Sequence, residues 1–489
     1  MIDEILSTSG NRCDSRIAKR YLWGVLLLAA VLYTGAVVMA VVQHSYFIDD
    51  DYDNFYLILH DSFWGYFFTP IDDQFVPLHR LFTYLIYVLF PLNFPVAVGV
   101  LLVLHVLGAW YVHKILKLLG ESSANRVLMF LYATNVYLFV PLMWWSSGIH
   151  RFSYVLLSAM CIYYYLEYRI TTRRRYLFGS FAVFLVAFFI YSKSPLIPAY
   201  LLGLDLCLMQ KMPGPKSARR LLVLVPFFAA SVMHVILYRL NMPEAFGRFT
   251  LDLQFLAAFV GRSFYYLGHG LFTAVYHPEN AVLNITIALS YLSLFTYSVV
   301  KKRANILIWV LGMGVIGLNS LLIAASPRNI FGLSNLLTHR YYFELVFLAV
   351  IFLKLILSNI PSRDALSGLP ERAQRVLLST HFQIVLILVY ACLSFYNCRV
   401  LMSTPRYSRH DQVKVYMENL SAGIAGFKAD PPANLSFTEG AVPEYVTGFR
   451  WKMRPYSIFL QIFALEASYG VPTEDFYTIT EAGEVRKVE

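Results

Sequence analysis

Four of the five residues in Asp49-Asp50-Asp51-Tyr52-Asp53 are carboxylates, and this acidic cluster directly follows the first membrane-length apolar run. Carboxylates are costly in hydrocarbon, so the cluster must lie at or beyond the membrane face. There it is either a solvated cap on a loop or a group of bases able to take a proton from a hydroxyl or amine. The density and position of the carboxylates favour a site for a substrate that is half lipid and half polar.

A second acidic pair, Asp72-Asp73, stands just before Pro77, His79 and Arg80. The pair is either part of the same site or a loop turn before the proline. His79 is not expected to be a metal ligand, because no spacing of His, Cys and Asp in the chain meets the expectation for a zinc site. It is either a substrate contact or a packing residue. Asp73, His79 and Arg80 therefore enter the candidate site as substrate-binding residues.

Four cations lie near the predicted outer ends of apolar runs: Arg151, Lys193, Arg328 and Arg340. Positive residues are disfavoured on the outer side of a membrane, which favours a role in binding an anion. Such groups can carry the growing charge of a departing phosphate. The alternative is that Lys193 and Arg340 only extend to the interface as anchors.

Composition restricts the elements that must position these residues. The chain has 489 residues, of which 58% are apolar and only 14% charged, and this describes a polytopic membrane protein. The net charge of +10 comes from short basic clusters between apolar runs. That pattern is typical of cytoplasmic loops and does not indicate a nucleic-acid partner.

The basic clusters orient about eleven spans of roughly 20 residues each. The predicted spans are 21–43, 80–112, 124–143, 151–168, 176–192, 195–210, 220–239, 281–299, 304–325, 341–358 and 377–397. We expect the second span to be tilted or broken near Pro91 and Pro95. The apolar segment 253–276 is predicted to be interfacial or re-entrant, because counting it as a span would place the basic cluster 301–303 outside.

This topology divides the chain into three parts. Residues 1–20 form a cytoplasmic N-terminus, and residues 21–398 form the transmembrane domain, which includes the first outside loop, 44–79. Residues 399–489 form an outside C-terminal domain, long enough for a small α/β or all-β cap, in which no catalytic motif is visible.

The first outside loop has helical apolar spacing. The residues that carry this spacing are Tyr52, Phe55, Tyr56, Leu59 and Phe63. A short helix lying in the membrane interface would bury these apolar side chains. The acidic cluster would begin that helix, where the positive end of the helix dipole stabilises anions.

Several short motifs resemble the GT-C class of membrane glycosyltransferases, which use polyprenyl-phosphate sugars and include protein mannosyltransferases and aminoarabinose transferases. The motifs are Asp50-Asp51-Tyr52, Pro77-Leu78-x-Arg80-Leu81, His105, Ser192-Lys193-Ser194-Pro195 with Pro198, and His339-Arg340-Tyr341-Tyr342. The resemblance in topology covers most of residues 20–345. It implies an all-α polytopic fold, a GT-C-like bundle of about eleven transmembrane helices.

The resemblance also implies roles for individual residues. Asp50 would act as the base, with Asp49 as the alternative in register, and Asp51 would orient the acceptor or bind a divalent cation (Mg or Mn) where one is used. Lys193 and Arg340 would hold the lipid phosphate, although Ser194 stands where the class has a glutamate. Further substrate-binding candidates are Tyr52, Asp73, His79, Arg80 and Arg151.

The expected function is inverting transfer of a sugar from a polyprenyl-phosphate donor to a cell-envelope acceptor, which is a lipid, a glycan or a protein. The expected location is the outer face of a bacterial-like plasma (inner) membrane. Two alternatives share this topology. One is a transporter or flippase for lipid-linked sugars, and the other is a polysaccharide polymerase or ligase. No Gly-rich nucleotide loop appears on the inner side, which favours a lipid-linked donor over a nucleotide sugar.

Overall fold

Helices make up most of the computed structural model. The structure describes residues 12–70, 74–122, 124–208, 218–241, 252–270, 281–326, 332–333, 338–359, 380–430, 432, 434–448, 453–463, 465 and 467–488. The α-helices are α1 Arg12–His44, α2 Asp50–His60, α3 Phe63–Phe68, α4 Pro77–Leu89, α5 Phe94–Leu118, α6 Ala124–Ala133, α7 Phe139–Leu142, α8 Trp145–Thr171, α9 Arg174–Phe188, α10 Ile197–Leu208, α11 Val225–Asn241, α12 Leu253–Gly268, α13 Ala281–Lys301, α14 Asn305–Ala325, α15 Arg340–Ser358, α16 Thr380–Met402, α17 Pro405–Ala429, α18 Glu444–Thr447 and α19 Tyr456–Phe459. Short 3₁₀ segments lie at Val136–Leu138, Ser194–Leu196, Ala218–Leu224 and Leu460–Phe463.

Within the described residues, seven helical segments are long and apolar enough to cross a membrane. They are Gly24–His44, Phe94–Leu118, Leu221–Leu240, Ala281–Lys301, Asn305–Ala325, Arg340–Ser358 and Ile384–Met402. Each overlaps a span predicted from the sequence. The predicted class, an all-α polytopic membrane protein, is confirmed.

The other four predicted spans are also helical, but they are shorter or more polar. The segment 124–143 is interrupted between α6 and α7, and α9 and α10 contain 15 and 12 residues. The 27-residue α8 is long enough, but its first turns carry serine, histidine and arginine. Because α8 is buried along most of its length against α5 and α9, protein surrounds these polar groups.

The second predicted span is broken, as the prolines suggested. α4 ends at Leu89, and α5 begins at Phe94. Asn93 caps α5, because its side-chain oxygen accepts a hydrogen bond from the Val96 N–H at 3.2 Å. Pro95 lies in the first turn, where the missing N–H costs nothing. The apolar run therefore forms two helices. α4, with 13 residues, is too short to cross a membrane, whereas α5 is long enough.

The first outside loop contains two helices. α2 begins at Asp50, as the acidic cluster predicted, and Tyr52 and Phe55 are buried on one side of it. α3 leaves Trp64 65% exposed and Phe68 54% exposed. Exposed aromatic rings on a short helix are typical of a helix lying at a membrane surface.

The C-terminal part is an α/β unit, one of the two architectures expected for it. The strands β1 Leu435–Phe437, β2 Ser468–Tyr469, β3 Asp475–Ile479 and β4 Val485–Lys487 form one sheet in the order β2-β1-β3-β4. β1 pairs in parallel with β2 and β3, and β3 pairs antiparallel with β4. The long helix α17 packs on this sheet, and a Cβ at Gly423 would contact Val485.

The C-terminal unit rests on the first outside loop. The ring of Tyr52 lies 5.0 Å from the ring of Phe459, and the Tyr87 hydroxyl donates a hydrogen bond to the carbonyl of Ile462 at 2.7 Å. The two regions must therefore lie on the same side of the membrane, as the eleven-span topology requires. Which side that is remains a prediction.

A reporter fused after Glu489 tests the orientation. An alkaline phosphatase reporter is active only outside the cytoplasm, and we expect it to be active when it is fused after Glu489. A green fluorescent protein at the same position should be dark when exported unfolded. The reverse pattern at Glu489 would contradict the outward placement of both the C-terminal unit and the acidic cluster.

Candidate active site

The acidic cluster forms the N-terminus of α2. The carboxylates of Asp49 and Asp51 contact different parts of the protein, and Asp50 lies between them in the chain. Asp49 is the residue before the helix, and its backbone has φ 53°. A non-glycine residue in this region is strained by about 1–3 kcal/mol and persists only where its surroundings hold it. Strain of this kind is characteristic of binding and catalytic sites.

Asp51 is fully buried and holds two elements together. One carboxylate oxygen accepts hydrogen bonds from the N–H and the hydroxyl of Ser146, at 2.8 and 2.5 Å. The other oxygen accepts from the Ile48 N–H at 3.1 Å. Because Ser146 lies in the first turn of α8, Asp51 acts as a cap supplied by another helix. Burial raises the pKa of Asp51 to about 7, although these hydrogen bonds act to lower it.

Asp49 is held from the C-terminal unit. Its carboxylate accepts a hydrogen bond from the Arg409 guanidinium at 2.6 Å, and its N–H donates to the Val446 carbonyl at 3.3 Å. Gly448 lies directly against the carboxylate, with φ 57°, and any Cβ there would collide with it. Burial raises the pKa of Asp49, whereas the positive charges of Arg409 and Arg340 oppose that change.

Asp50 differs from both neighbours because its side chain is partly exposed to solvent. Its backbone carbonyl accepts a hydrogen bond from the Asn54 side chain at 2.6 Å, which fixes the first turn of α2. Asp50 is thus the most accessible of the carboxylates of Asp49, Asp50 and Asp51, and it is the one that an acceptor hydroxyl could most easily approach.

Arg340 lies close to the acidic cluster. Its guanidinium stacks over the Trp144 ring, with 4.3 Å between the guanidinium carbon and the ring centroid. Trp144 lies two residues before Ser146, which donates to Asp51, so this stacking places Arg340 in the neighbourhood of the acidic cluster.

Arg151 and Lys193 meet a carboxylate instead. Glu344, in the second turn of α15, is 1% exposed and accepts hydrogen bonds from both cations. Its oxygen lies 2.6 Å from the Lys193 ammonium. The Tyr341 ring lies beside the two cations, 4.9 and 5.3 Å from the charged groups of Arg151 and Lys193. Arg151 also donates to the Arg340 carbonyl at 3.3 Å, which links this ion cluster to the acidic one.

Three other candidates are buried in packing and hydrogen-bonding roles. Tyr52 donates its hydroxyl to the Phe47 carbonyl at 2.7 Å, and the His79 ring lies 4.1 Å from that of His150. Arg80 donates to the carbonyls of Thr69 and Pro70 and to the side chain of Asn54, at 3.1, 2.9 and 2.7 Å. Their predicted contacts with a substrate stay predictions. What the structure gives them is a part in the fold of the first loop.

Two candidates, Asp73 and Arg328, lie outside the described residues. Within the described part of the chain, no three His, Cys, Asp or Glu side chains come together in a way that could hold a metal ion. The oxygens of Asp51 already accept three hydrogen bonds. The described side chains do not form the oxygen cage that Mg²⁺ or Mn²⁺ requires.

Sequence reasoning missed Glu344, Arg406 and Arg409. Glu344 had a signal, since it is a lone carboxylate in the apolar run 341–358 and such groups require a partner. Arg406 and Arg409 had none, because the segment around them is polar and shows no motif. α17 follows the turn at Ser403 and Thr404 and packs against the end of α1, which places Arg409 against Asp49.

The assembled site contains a partly exposed carboxylate, Asp50, next in the chain to Asp49, whose carboxylate is paired with the Arg409 guanidinium. Such a set can deprotonate a hydroxyl while the cation stabilises negative charge on a departing group.

No protein-family model matches the chain, and no curated protein matches it. The solved structures similar to it include the crystal structure of an oligosaccharyltransferase from Archaeoglobus fulgidus in the apo form, with a TM-score of 0.44 and 14% sequence identity. The aligned region covers 91% of this chain and 64% of the archaeal one. The chain therefore spans less than two thirds of the length of that enzyme.

Proposed function

We propose that this protein is an inverting membrane glycosyltransferase that moves a sugar from a polyprenyl-phosphate donor to a cell-envelope acceptor. The observation that carries the proposal is the ion pair between Asp49, at the start of the acidic cluster, and Arg409, with the positive charge of Arg340 also acting on Asp49. These residues are far apart in the chain, and Arg340 begins an apolar helix long enough to cross a membrane. Base and phosphate-binding cation are the two kinds of group that this transfer requires.

Asp50 would accept the proton from the acceptor hydroxyl as the acceptor oxygen bonds to the anomeric carbon of the sugar. The bond between that carbon and the phosphate oxygen breaks, and its electron pair leaves with the phosphate. The released polyprenyl phosphate carries an additional negative charge, which Arg340 would stabilise. Attack opposite to the leaving group inverts the anomeric configuration.

An apolar cavity supports a lipid-linked donor. Its volume is about 400 Å³, and it lies among α12, α13, α14 and α15, with Phe264, Leu292, Trp309 and Phe352 in its wall. Ala349 is the residue of α15 in the cavity wall that is nearest in sequence to Arg340. The two are nine residues apart, which corresponds to roughly 13 Å along the helix. A donor whose phosphate lies near Arg340 could direct its isoprenoid chain toward this cavity.

The direct test is a transfer assay in lipid nanodiscs. The purified protein would receive C55-polyprenyl phosphates that carry different radiolabelled hexoses or pentoses, together with an extract of envelope lipids and glycans. We expect one donor to release free C55-polyprenyl phosphate while its label moves to the acceptor fraction. Transport of intact donor across closed vesicles without sugar release would instead identify the flippase alternative. An absence of label transfer from the whole panel would contradict the proposal.

A further inference from the structure

Two arginines of the C-terminal unit stand in an unfavourable place for cations. Arg406 and Arg409 lie in the first turns of the 25-residue helix α17. The N-terminus of a helix is its positive end, where cations are destabilised and anions are stabilised. Two positive side chains at this end of the helix therefore favour the presence of anions beside them.

A third cation comes from the other side of the site. Arg406 is an exposed residue, but partial desolvation lowers the pKa of its guanidinium, and the positive charges of Arg340 and Arg409 lower this pKa further. An anion bound at Arg406 would relieve this repulsion. Arg406 is also hydrogen-bonded to the Thr338 hydroxyl, two residues before Arg340, so this contact joins the start of α17 to the segment that leads into α15.

Asp49 offsets part of this charge. It contacts Arg409, whose side chain remains 34% exposed despite the ion pair. The loop at Gly448 fixes Asp49 from behind, because a side chain at that position would collide with the carboxylate. Asp49 is thus a fixed counter-ion at one edge of the arginine group, and the exposed part of Arg409 is available to a second anion.

We infer that Arg406 and Arg409, together with Arg340, bind the phosphate of the lipid carrier, so that the C-terminal unit completes the active site. This inference rests on the proposed function and adds two phosphate-binding residues to it. A guanidinium group presents several N–H donors to phosphate oxygens, and the N-terminus of α17 contributes a favourable field. Asp49 shares Arg409 with the phosphate and competes for it.

The test measures binding of the carrier rather than catalysis. C55-polyprenyl phosphate would be titrated against the full-length protein in nanodiscs and detected by native mass spectrometry. Arg406→Gln and Arg409→Gln should each weaken binding about tenfold, the effect expected for losing a hydrogen bond to a charged group. Arg409→Lys should retain part of the affinity. Arg486→Gln is the matched control in the same unit, because Arg486 pairs with Glu484 in the exposed part of the sheet.

Asp49→Asn gives the opposite sign and separates binding from folding. Removing the competing carboxylate should strengthen binding of C55-polyprenyl phosphate, whereas a structural role of the ion pair would leave the affinity unchanged or lower. If both arginine variants bind like the wild type, the inference is wrong and the proposed function stands. If the wild type binds C55-polyprenol as well as its phosphate, the phosphate site and the proposed donor are both wrong. Inorganic phosphate binding as tightly as the carrier would identify free phosphate as the ligand and overturn the assignment to a lipid.

Discussion

Asp50→Asn is expected to abolish sugar transfer while the protein remains folded and inserted. Asparagine has nearly the same shape as aspartate but cannot take a proton. Loss of a positioned general base typically lowers a rate by about 10²–10⁴-fold. Asp50 is partly exposed, and the Asn54 contact with its backbone carbonyl is retained in the variant. The measurement is release of C55-polyprenyl phosphate from the active donor, with melting temperature as the check on folding.

Asp53→Asn is the matched control, since Asp53 is a partly exposed aspartate one turn further along α2. It should keep most of the activity. Equal losses in both variants would assign the effect to the negative field of the cluster rather than to one base. If Asp49→Asn loses transfer and Asp50→Asn keeps it, the base is the residue one position earlier. Full activity in both Asp50→Asn and Asp49→Asn would defeat the base assignment.

Features encoded locally could be predicted from the sequence. The seven apolar segments, the break near Pro91 and the start of α2 at the acidic cluster all depend on neighbouring residues, on apolar length or on helix-end chemistry. Asp50 and Arg340 could be selected for a similar reason, because charged residues at the ends of apolar runs are few. These predictions needed no knowledge of which helices touch.

The partners of these residues could not be predicted, because they depend on helix packing across long separations. Arg409 reaches Asp49 across 360 positions, and Lys193 reaches Glu344 across 151. Hydrophobic periodicity identifies a helix and its buried face but not its neighbour. Lys193 was therefore predicted as a phosphate ligand, whereas the structure places its ammonium against a buried carboxylate. The ligand role stays a prediction that this contact makes harder to satisfy.

Glu344→Gln is expected to destabilise the protein strongly. Glu344 accepts hydrogen bonds from both Arg151 and Lys193, and all three side chains are at most 8% exposed. Removing the charge of Glu344 leaves these two buried cations without the carboxylate that they share. Breaking a buried ion pair in this way costs about 3–5 kcal/mol. The free energy of unfolding, measured by reversible denaturation in mixed micelles, should fall by that order.

Charge counting predicts a different result for Lys193→Met. This variant leaves Glu344 paired with Arg151, a neutral pair, and replaces the ammonium by an apolar group of similar length. Lys193→Met should lower the free energy of unfolding clearly less than Glu344→Gln does. In the double variant, Lys193→Met should recover part of the stability that Glu344→Gln loses, because only one of the two buried cations is then left without Glu344. Equal costs for the two single variants would contradict the view that Glu344 is the shared counter-ion of both cations. If the Lys193→Met protein is stable but no longer transfers sugar, Lys193 is a phosphate ligand. Charge balance in the ion cluster cannot explain a loss of activity that occurs without a loss of stability.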